Sequence, residues 1–234
     1  MTILALDTSA VVASVALCDG DELIAEFTVN NGNTHSETLL PMIESLLKIS
    51  GRTLADIDAF ACSSGPGSFT GVRIGAATLK GIAFDSGKPC VEVSTLEALA
   101  YNLKMEKGLI CPVMNARRSQ VYTALFSSDG NEFKRLMDDS PLSVEELDDT
   151  LSKYENTPIF FCGDGYDVTV PAMKKTVFNT TAKRLVYQSA YSVACVAAHK
   201  LKNNDFISDS DLRVTYLRPS QAERERLERQ AEQK

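Results

Sequence analysis

Two short groups of polar residues in this sequence carry side chains that suit contacts with an anion or a nucleotide. Asp7, Thr8 and Ser9 follow directly on the apolar run that starts the chain, and Arg117 and Arg118 stand together between two later apolar runs. A carboxylate beside hydroxyls suits a nucleotide and its cation, and adjacent arginines can clamp a phosphate or a carboxylate. The alternative is structural: a strand-end turn whose polar groups are satisfied locally, and two solvent-exposed cations.

A glycine-rich stretch, Ser63 to Gly75, joins a predicted buried strand to a helix of small residues that we expect from Val72 to Phe84, with Ser68 or Thr70 as the N-cap. A helix N-terminus can bind an anion. Glycine inside a helix costs about 1 kcal/mol relative to alanine, which indicates a close neighbour on the glycine face. That neighbour is either a partner or the chain's own sheet. No Gly-Lys-Ser/Thr follows, which excludes a Walker A loop.

The residues that a metal site or a catalytic triad needs are sparse. The sequence has two histidines, His35 and His199, and neither has a second histidine four residues away. The His-Glu-x-x-His pattern of metallopeptidases is missing, and so is the Gly-x-Ser-x-Gly pattern of serine hydrolases. The sequence therefore predicts no catalytic residue and no metal ligand.

Composition restricts the partners and the compartment. The formal net charge is -7, and because nucleic-acid affinity comes largely from cations, the chain alone is not expected to be a main nucleic-acid binder, although a local basic patch stays open. The six cysteines are widely spaced without a Cys-x-x-Cys pair, which indicates free buried thiols in a reducing cytoplasm. No run of about 18 apolar residues occurs, so we expect no membrane span.

The order of predicted elements indicates a mixed α/β sheet. Three strands joined by short turns are followed by a helix from Thr34 to about Lys48, which starts on the capping-box pattern Thr34-x-x-Glu37. Strand, helix and strand come next, and then a helix to about Met105 that is capped at Ser94-x-x-Glu97. This is the order of the ribonuclease-H-like unit that is duplicated in actin-like ATPases. We therefore predict a first lobe at 1–106, a reduced second lobe at 107–219 and a charged tail at 220–234.

The second half of the chain is less regular. Strands are expected at Leu109 to Met114, Gln120 to Phe126 and Ile159 to Cys162. A helix capped by Ser143 and Glu146 should run to about Tyr154, and an alanine-rich helix from Ser189 to Leu201.

Several segments, taken in chain order, resemble the TsaB (YeaZ) family of tRNA threonylcarbamoyladenosine biosynthesis proteins. The specific one is Gly-Pro-Gly-Ser-Phe-Thr-Gly-Val-Arg-Ile-Gly at 65–75. The others lie at 3–9, 35–43, 93–100, 116–118 with 121–122, and 216–219, so the resemblance covers residues 1 to about 219. One departure is Asn115, because the family usually has aspartate before Ala-Arg-Arg, and this weakens an acid or metal role there.

The resemblance implies an actin-like ATPase fold and a non-catalytic scaffold that binds and activates TsaD, together with the ATPase TsaE. That complex transfers threonylcarbamoyl to adenosine 37 of tRNAs reading codons that begin with A. ATP or ADP with magnesium would act at the level of the complex, and tRNA would bind only through it. The family also forms homodimers through its first two helices, the surface that meets TsaD.

The residues expected to contact a partner all lie on these two helices. They are Leu39, Leu40, Ile43, Leu47, Gly71, Val72, Gly75 and Leu79. Gly75→Leu is expected to fill the groove between partners. The first helix contains Pro41, and its apolar stripe could equally be part of the chain's own hydrophobic core.

Two other functions stay open at this point. One is an autonomous actin-fold phosphotransferase that uses Asp7 and Thr8, and the other is a metallopeptidase relative. A third, weaker possibility is a direct tRNA contact through Arg117 and Arg118.

Overall fold

The computed structural model describes residues 1–32, 34–117 and 119–218, and it places them in two mixed sheets with helices on their faces. The first sheet has the strand order β3-β2-β1-β4-β5. Its strands are β1 (Thr2–Asp7), β2 (Ala13–Asp19), β3 (Glu22–Val29), β4 (Ala59–Gly65) and β5 (Cys90–Ser94). β1 to β3 form the predicted antiparallel meander, and β4 and β5 continue the sheet in parallel with β1.

The second sheet has four strands in the order β8-β7-β6-β9. They are β6 (Gly108–Asn115), β7 (Gln120–Ser128), β8 (Phe133–Ser143) and β9 (Ile159–Cys162). The three predicted strands of this half are present. β8 was not predicted, because its charged residues leave it without an apolar run and Pro141 lies near its end.

The helices are α1 (His35–Ser50), α2 (Phe69–Ala83), α3 (Thr95–Tyr101), α4 (Val144–Leu151), α5 (Tyr166–Thr169), α6 (Lys183–Val186) and α7 (Ala190–Lys202), with 3-10 turns at Leu54–Asp56 and Val170–Ala172. None of the helices in the described part of the chain has both the length and the apolar character that a bilayer span requires.

Helix caps agree with the sequence patterns at three of four positions. Ser68, Ser94 and Ser143 each accept a hydrogen bond from a backbone N–H in the first turn of α2, α3 and α4. Thr34 occupies the N-cap position of α1, but its side chain makes no capping bond, so the predicted capping box with Glu37 does not form.

The end of the chain returns to the first sheet, which differs from the predicted lobe boundaries. α1 and α2 cover one face of this sheet, and α7 covers the other with a run of buried residues from Ala190 to Ala198. Both α7 and the segment at 206–216 were expected in the second lobe. The sequence pattern identifies α7 as a helix apolar on several sides, but it does not say which sheet buries it.

Residues 206–216, which we call the return segment, lie beside β4 and β5. Ile207 forms an antiparallel bridge with Cys90, and the Thr215 N–H donates to the Ser64 carbonyl at 2.8 Å. Leu212 is buried against the core that α1 and α2 share with the first sheet. The return segment therefore brings the last described residues to the N-terminus of α2.

Candidate functional site

The strand-end turn at Asp7, Thr8 and Ser9 is closed by its own hydrogen bonds. The Ser9 N–H and hydroxyl both donate to Asp7 Oδ1, at 2.9 and 2.7 Å, and the Thr8 hydroxyl donates to the carbonyl of Gly71 at 2.8 Å. The exposed fractions of the three residues are 1, 2 and 0%. None of these side chains is presented to solvent, where a nucleotide would arrive.

The N-terminus of α2 lies directly against this turn. The Ser68 N–H donates to the Ser9 carbonyl at 2.7 Å, and a Cβ built on Gly75 would lie 2.5 Å from the Thr8 hydroxyl oxygen. A Cβ on Gly71 would collide with the Thr8 carbonyl. The glycine face of α2 therefore packs on the chain's own first turn, which is the structural alternative, and Gly75→Leu would disturb the fold rather than an outer groove.

Asp7 combines complete burial with an oxygen that has no partner. Its Oδ2 atom and the Ser63 hydroxyl make no hydrogen bond within the described part of the chain. Burial raises the pKa of the Asp7 carboxyl, and the two hydrogen bonds from Ser9 only partly oppose that shift. The folded chain thus holds this proton more tightly than the unfolded chain does.

We expect Asp7→Asn to raise the melting temperature at pH 7. Because the folded-state pKa of Asp7 is raised, ionisation opposes folding, and this loss of stability develops as the pH rises from the unfolded pKa, near 4, through the folded one. Asparagine keeps an oxygen for the Ser9 donors without the buried charge. Thermal unfolding of wild type and variant at pH 4 and 7 checks this, with the exposed Asp21→Asn as control. A lower melting temperature for Asp7→Asn at both pH values would contradict it.

The second predicted group lies on the β6–β7 turn. The Asn115 side-chain oxygen accepts from the Arg117 N–H at 2.8 Å, and the Asn115 N–H donates to Asp164 at 3.3 Å. Burial raises the pKa of Asp164. Arg117 is exposed, with a backbone φ of 63°, whereas Arg118 lies outside the described residues. The Asp7 turn is buried and Arg117 is exposed, so the two groups do not both present side chains to solvent.

Most of the predicted interface residues are buried in the chain itself. The exposed fractions are 1% for Leu39, 3% for Ile43, 1% for Val72 and 0% for Leu79. Leu40 is 50% exposed and Leu47 is half-buried, so these two alone of the set reach the outer surface. The interface itself stays a prediction, but its contact residues must come largely from other positions.

Other positions on the outer faces of α1 and α2 are exposed to solvent and could contact a partner. On α2 the exposed positions include Ala77 and Gly81, and a Cβ on Gly81 would meet no atom within 4 Å. Phe84, just after α2, and Ile49, near the end of α1, are 77% and 73% exposed. The helical period contained this signal, because Val72, Gly75, Ala76 and Leu79 share the apolar face and direct the opposite residues outward.

The histidines contact oxygen atoms of the chain, and the cysteines are buried. His35 Nε2 lies 2.7 Å from the Ala10 carbonyl, and His199 Nε2 lies 3.2 Å from the Tyr101 hydroxyl. All six cysteines are free and buried. Across the described residues, no three His, Cys, Asp or Glu side chains gather where they could hold a metal ion.

Comparison with known proteins relates this chain to proteins of tRNA threonylcarbamoyladenosine synthesis. The family model described as TsaD, tRNA N6-adenosine threonylcarbamoyltransferase, matches residues 23–224. The tRNA threonylcarbamoyladenosine biosynthesis protein TsaB of Bacillus subtilis is 36% identical over 163 residues, which cover 70% of this chain and 71% of that protein. TsaB of Haemophilus influenzae is 30% identical over 228 residues, covering 93% and 94%.

Solved structures extend the match to the fold. The structure of YeaZ from Pseudomonas aeruginosa superposes with a TM-score of 0.80 at 26% identity, and it covers 92% of this chain and 99% of that one. The predicted actin-like α/β fold is thereby confirmed.

Proposed function

Because this chain belongs to the TsaB family of tRNA threonylcarbamoyladenosine biosynthesis proteins, we propose that it acts in that tRNA modification as a non-catalytic subunit of TsaD, the transferase. The observation that carries the non-catalytic role is the closed strand-end turn. Asp7 Oδ1 and the Thr8 and Ser9 hydroxyls are hydrogen-bonded within the turn or to α2, and all three residues are buried, at exposed fractions of 2% or less. A phosphotransferase would need these groups free to face its nucleotide.

We propose that the partner surface is the outer face of α1 and α2, which we call the helix-pair surface: Leu40, Ala77, Gly81 and Phe84. Leu40 and Phe84 are large apolar side chains at least half exposed, and the small residues of α2 let another backbone approach closely. A stable complex buries about 1,200–2,000 Å² in total, and exposed apolar side chains at its centre supply the favourable free energy.

The same surface serves a homodimer when the chain is alone, and TsaD displaces the second copy, with TsaE joining the complex. We place this assembly in the cytoplasm, since six free cysteines suit a reducing compartment.

Light scattering of the chain mixed with TsaD from its own organism tests the surface. Wild type should give a mixed species in place of the homodimer. Leu40→Glu should weaken that species at least tenfold, about 1.4 kcal/mol, because it places a charge in an apolar contact. Leu136→Glu is the matched control, since Leu136 is 43% exposed on β8 of the second sheet. Equal affinities for the two variants, or no mixed species with wild type, would contradict the proposal.

A further inference from the structure

A strip of arginines and aromatic rings runs from the N-terminus of α2 to the β6–β7 turn. The Arg73 side chain donates to the Tyr216 hydroxyl at 2.5 Å, and the ring of Tyr216 stacks on Phe69 with centroids 4.5 Å apart. Two residues on, Arg218 donates to the carbonyl of Ala116 at 3.3 Å, which brings it next to Arg117. We call Phe69, Arg73, Arg117, Tyr216 and Arg218 the arginine strip.

Within the described part of the chain, no carboxylate forms an ion pair with the arginines of this strip. Arg73 bonds a hydroxyl and Arg218 a carbonyl, and neither they nor Arg117 form an ion pair among the described residues. Three arginines without an acidic partner among the described residues therefore lie close together in a chain of net charge -7.

The aromatic members point to the class of ligand. Tyr216 is 41% exposed although it is stacked on Phe69, and the Arg73 guanidinium lies 5.3 Å from its ring centre and 5.5 Å from that of Phe69. Unpaired arginines beside exposed aromatic rings are the arrangement that binds single-stranded nucleic acid, because guanidinium groups contact phosphates and every base can stack on a ring.

We propose that the arginine strip binds RNA, with Arg117 and Arg218 on phosphates and Tyr216 against an unstacked base. The proposal rests on the proposed function, which places the chain beside a tRNA substrate. An acidic surface of a protein partner would also suit arginines and a tyrosine, and the measurement with TsaD described below distinguishes that partner from RNA. The modest number of cations predicts weak, strongly salt-dependent binding by the chain alone.

Fluorescence anisotropy of the full chain with an unmodified tRNA transcript and a single-stranded RNA oligomer, from 50 to 200 mM salt, tests this. The double variant Arg117→Glu, Arg218→Glu should weaken binding at least tenfold and reduce the magnitude of the salt slope by about 0.7–0.9 for each lost phosphate contact. Arg52→Glu is the control, and it is compared with each of the single variants Arg117→Glu and Arg218→Glu, which make the same charge change. Arg52 is an exposed arginine between α1 and β4, near the amino ends of the parallel strands.

Light scattering with TsaD, run on the same variants, separates the two proposals. Loss of RNA affinity with an intact mixed species supports the arginine strip. Loss of TsaD binding without a change in RNA affinity overturns it and assigns these arginines to the protein interface. The RNA-binding proposal is also overturned if wild type does not bind either RNA at 50 mM salt, or if Arg52→Glu has the same effect as the double variant. If wild type never binds TsaD but the double variant still loses RNA affinity, the proposed function is contradicted and the RNA-binding proposal is supported.

Discussion

Gly71→Ala is expected to destabilise the chain by about 3 kcal/mol, whereas Gly81→Ala on the same helix should stabilise it by about 1 kcal/mol. Both changes add one methyl group and give α2 the same gain in helix propensity. The difference comes from their surroundings, because a Cβ on Gly71 collides with the Thr8 carbonyl and a Cβ on Gly81 meets nothing within 4 Å. Backbone cannot yield as a flexible side chain does, so α2 or the first turn must move.

Thermal unfolding measures this pair of variants directly. At about 2–4 °C per kcal/mol for a chain of this size, Gly71→Ala should melt roughly 6–12 °C below wild type, and Gly81→Ala slightly above it. Equal melting temperatures for the two variants would show that the glycine face of α2 is not closed on the strand-end turn. In that case Gly71 would return as a candidate for contact with a partner.

Asp148→Ala should cost about 3–5 kcal/mol, because one buried carboxylate holds a whole loop. Asp148 is 5% exposed and accepts from the N–H groups of Lys174, Lys175 and Thr176 at 2.8, 3.0 and 2.9 Å, and from the Thr176 hydroxyl at 2.7 Å. This loop carries Phe178, whose ring packs edge-on against Phe161 in the core of the second sheet. Alanine leaves these donors without an acceptor.

The difference in stability between wild type and Asp148→Ala should decrease as the pH falls. Burial alone would raise the pKa of Asp148, but its hydrogen bonds together outweigh burial and hold the pKa below the ordinary value. Its contribution to stability is therefore complete above the unfolded pKa, near 4, and is lost as the pH falls through the lower folded pKa. Denaturant unfolding of wild type and Asp148→Ala should show a gap that narrows below about pH 4.

Asp149→Ala is the control for this prediction. Asp149 is the next residue, and its carboxylate pairs with the Lys175 ammonium at the surface, where both side chains are more than half exposed. Such a pair is worth at most about 1 kcal/mol. Similar losses for the two variants would contradict the role given to Asp148.

The sequence was sufficient to predict the strands that are continuous apolar runs. β1, β2, β4 and β9 are short runs of this kind bounded by turns, and the structure confirms each of them. The helix caps at Ser68, Ser94 and Ser143 could also be predicted from the sequence, because each side chain and the N–H that it accepts from lie within three residues. Patterns of this kind need no knowledge of the rest of the fold.

Placement across the chain was not predictable in the same way. Arg73 and Tyr216 are 143 positions apart, and nothing local to either indicates that they share a hydrogen bond. The small residues of α2 indicated a close neighbour, but the sequence alone did not identify that neighbour as Thr8. The family resemblance predicted the interface on two helices, and the structure was needed to separate the buried Leu79 from the exposed Phe84.

Threonylcarbamoyl transfer to unmodified tRNA, reconstituted with TsaD and TsaE, measures whether this chain acts as a non-catalytic subunit. We predict that omitting this chain abolishes modification, that adding it restores modification, and that the chain alone modifies no tRNA. Leu40→Glu should fail to restore the reaction where Leu136→Glu succeeds. Unchanged modification in the absence of the chain, or modification by the chain alone, would contradict its assignment as a non-catalytic subunit.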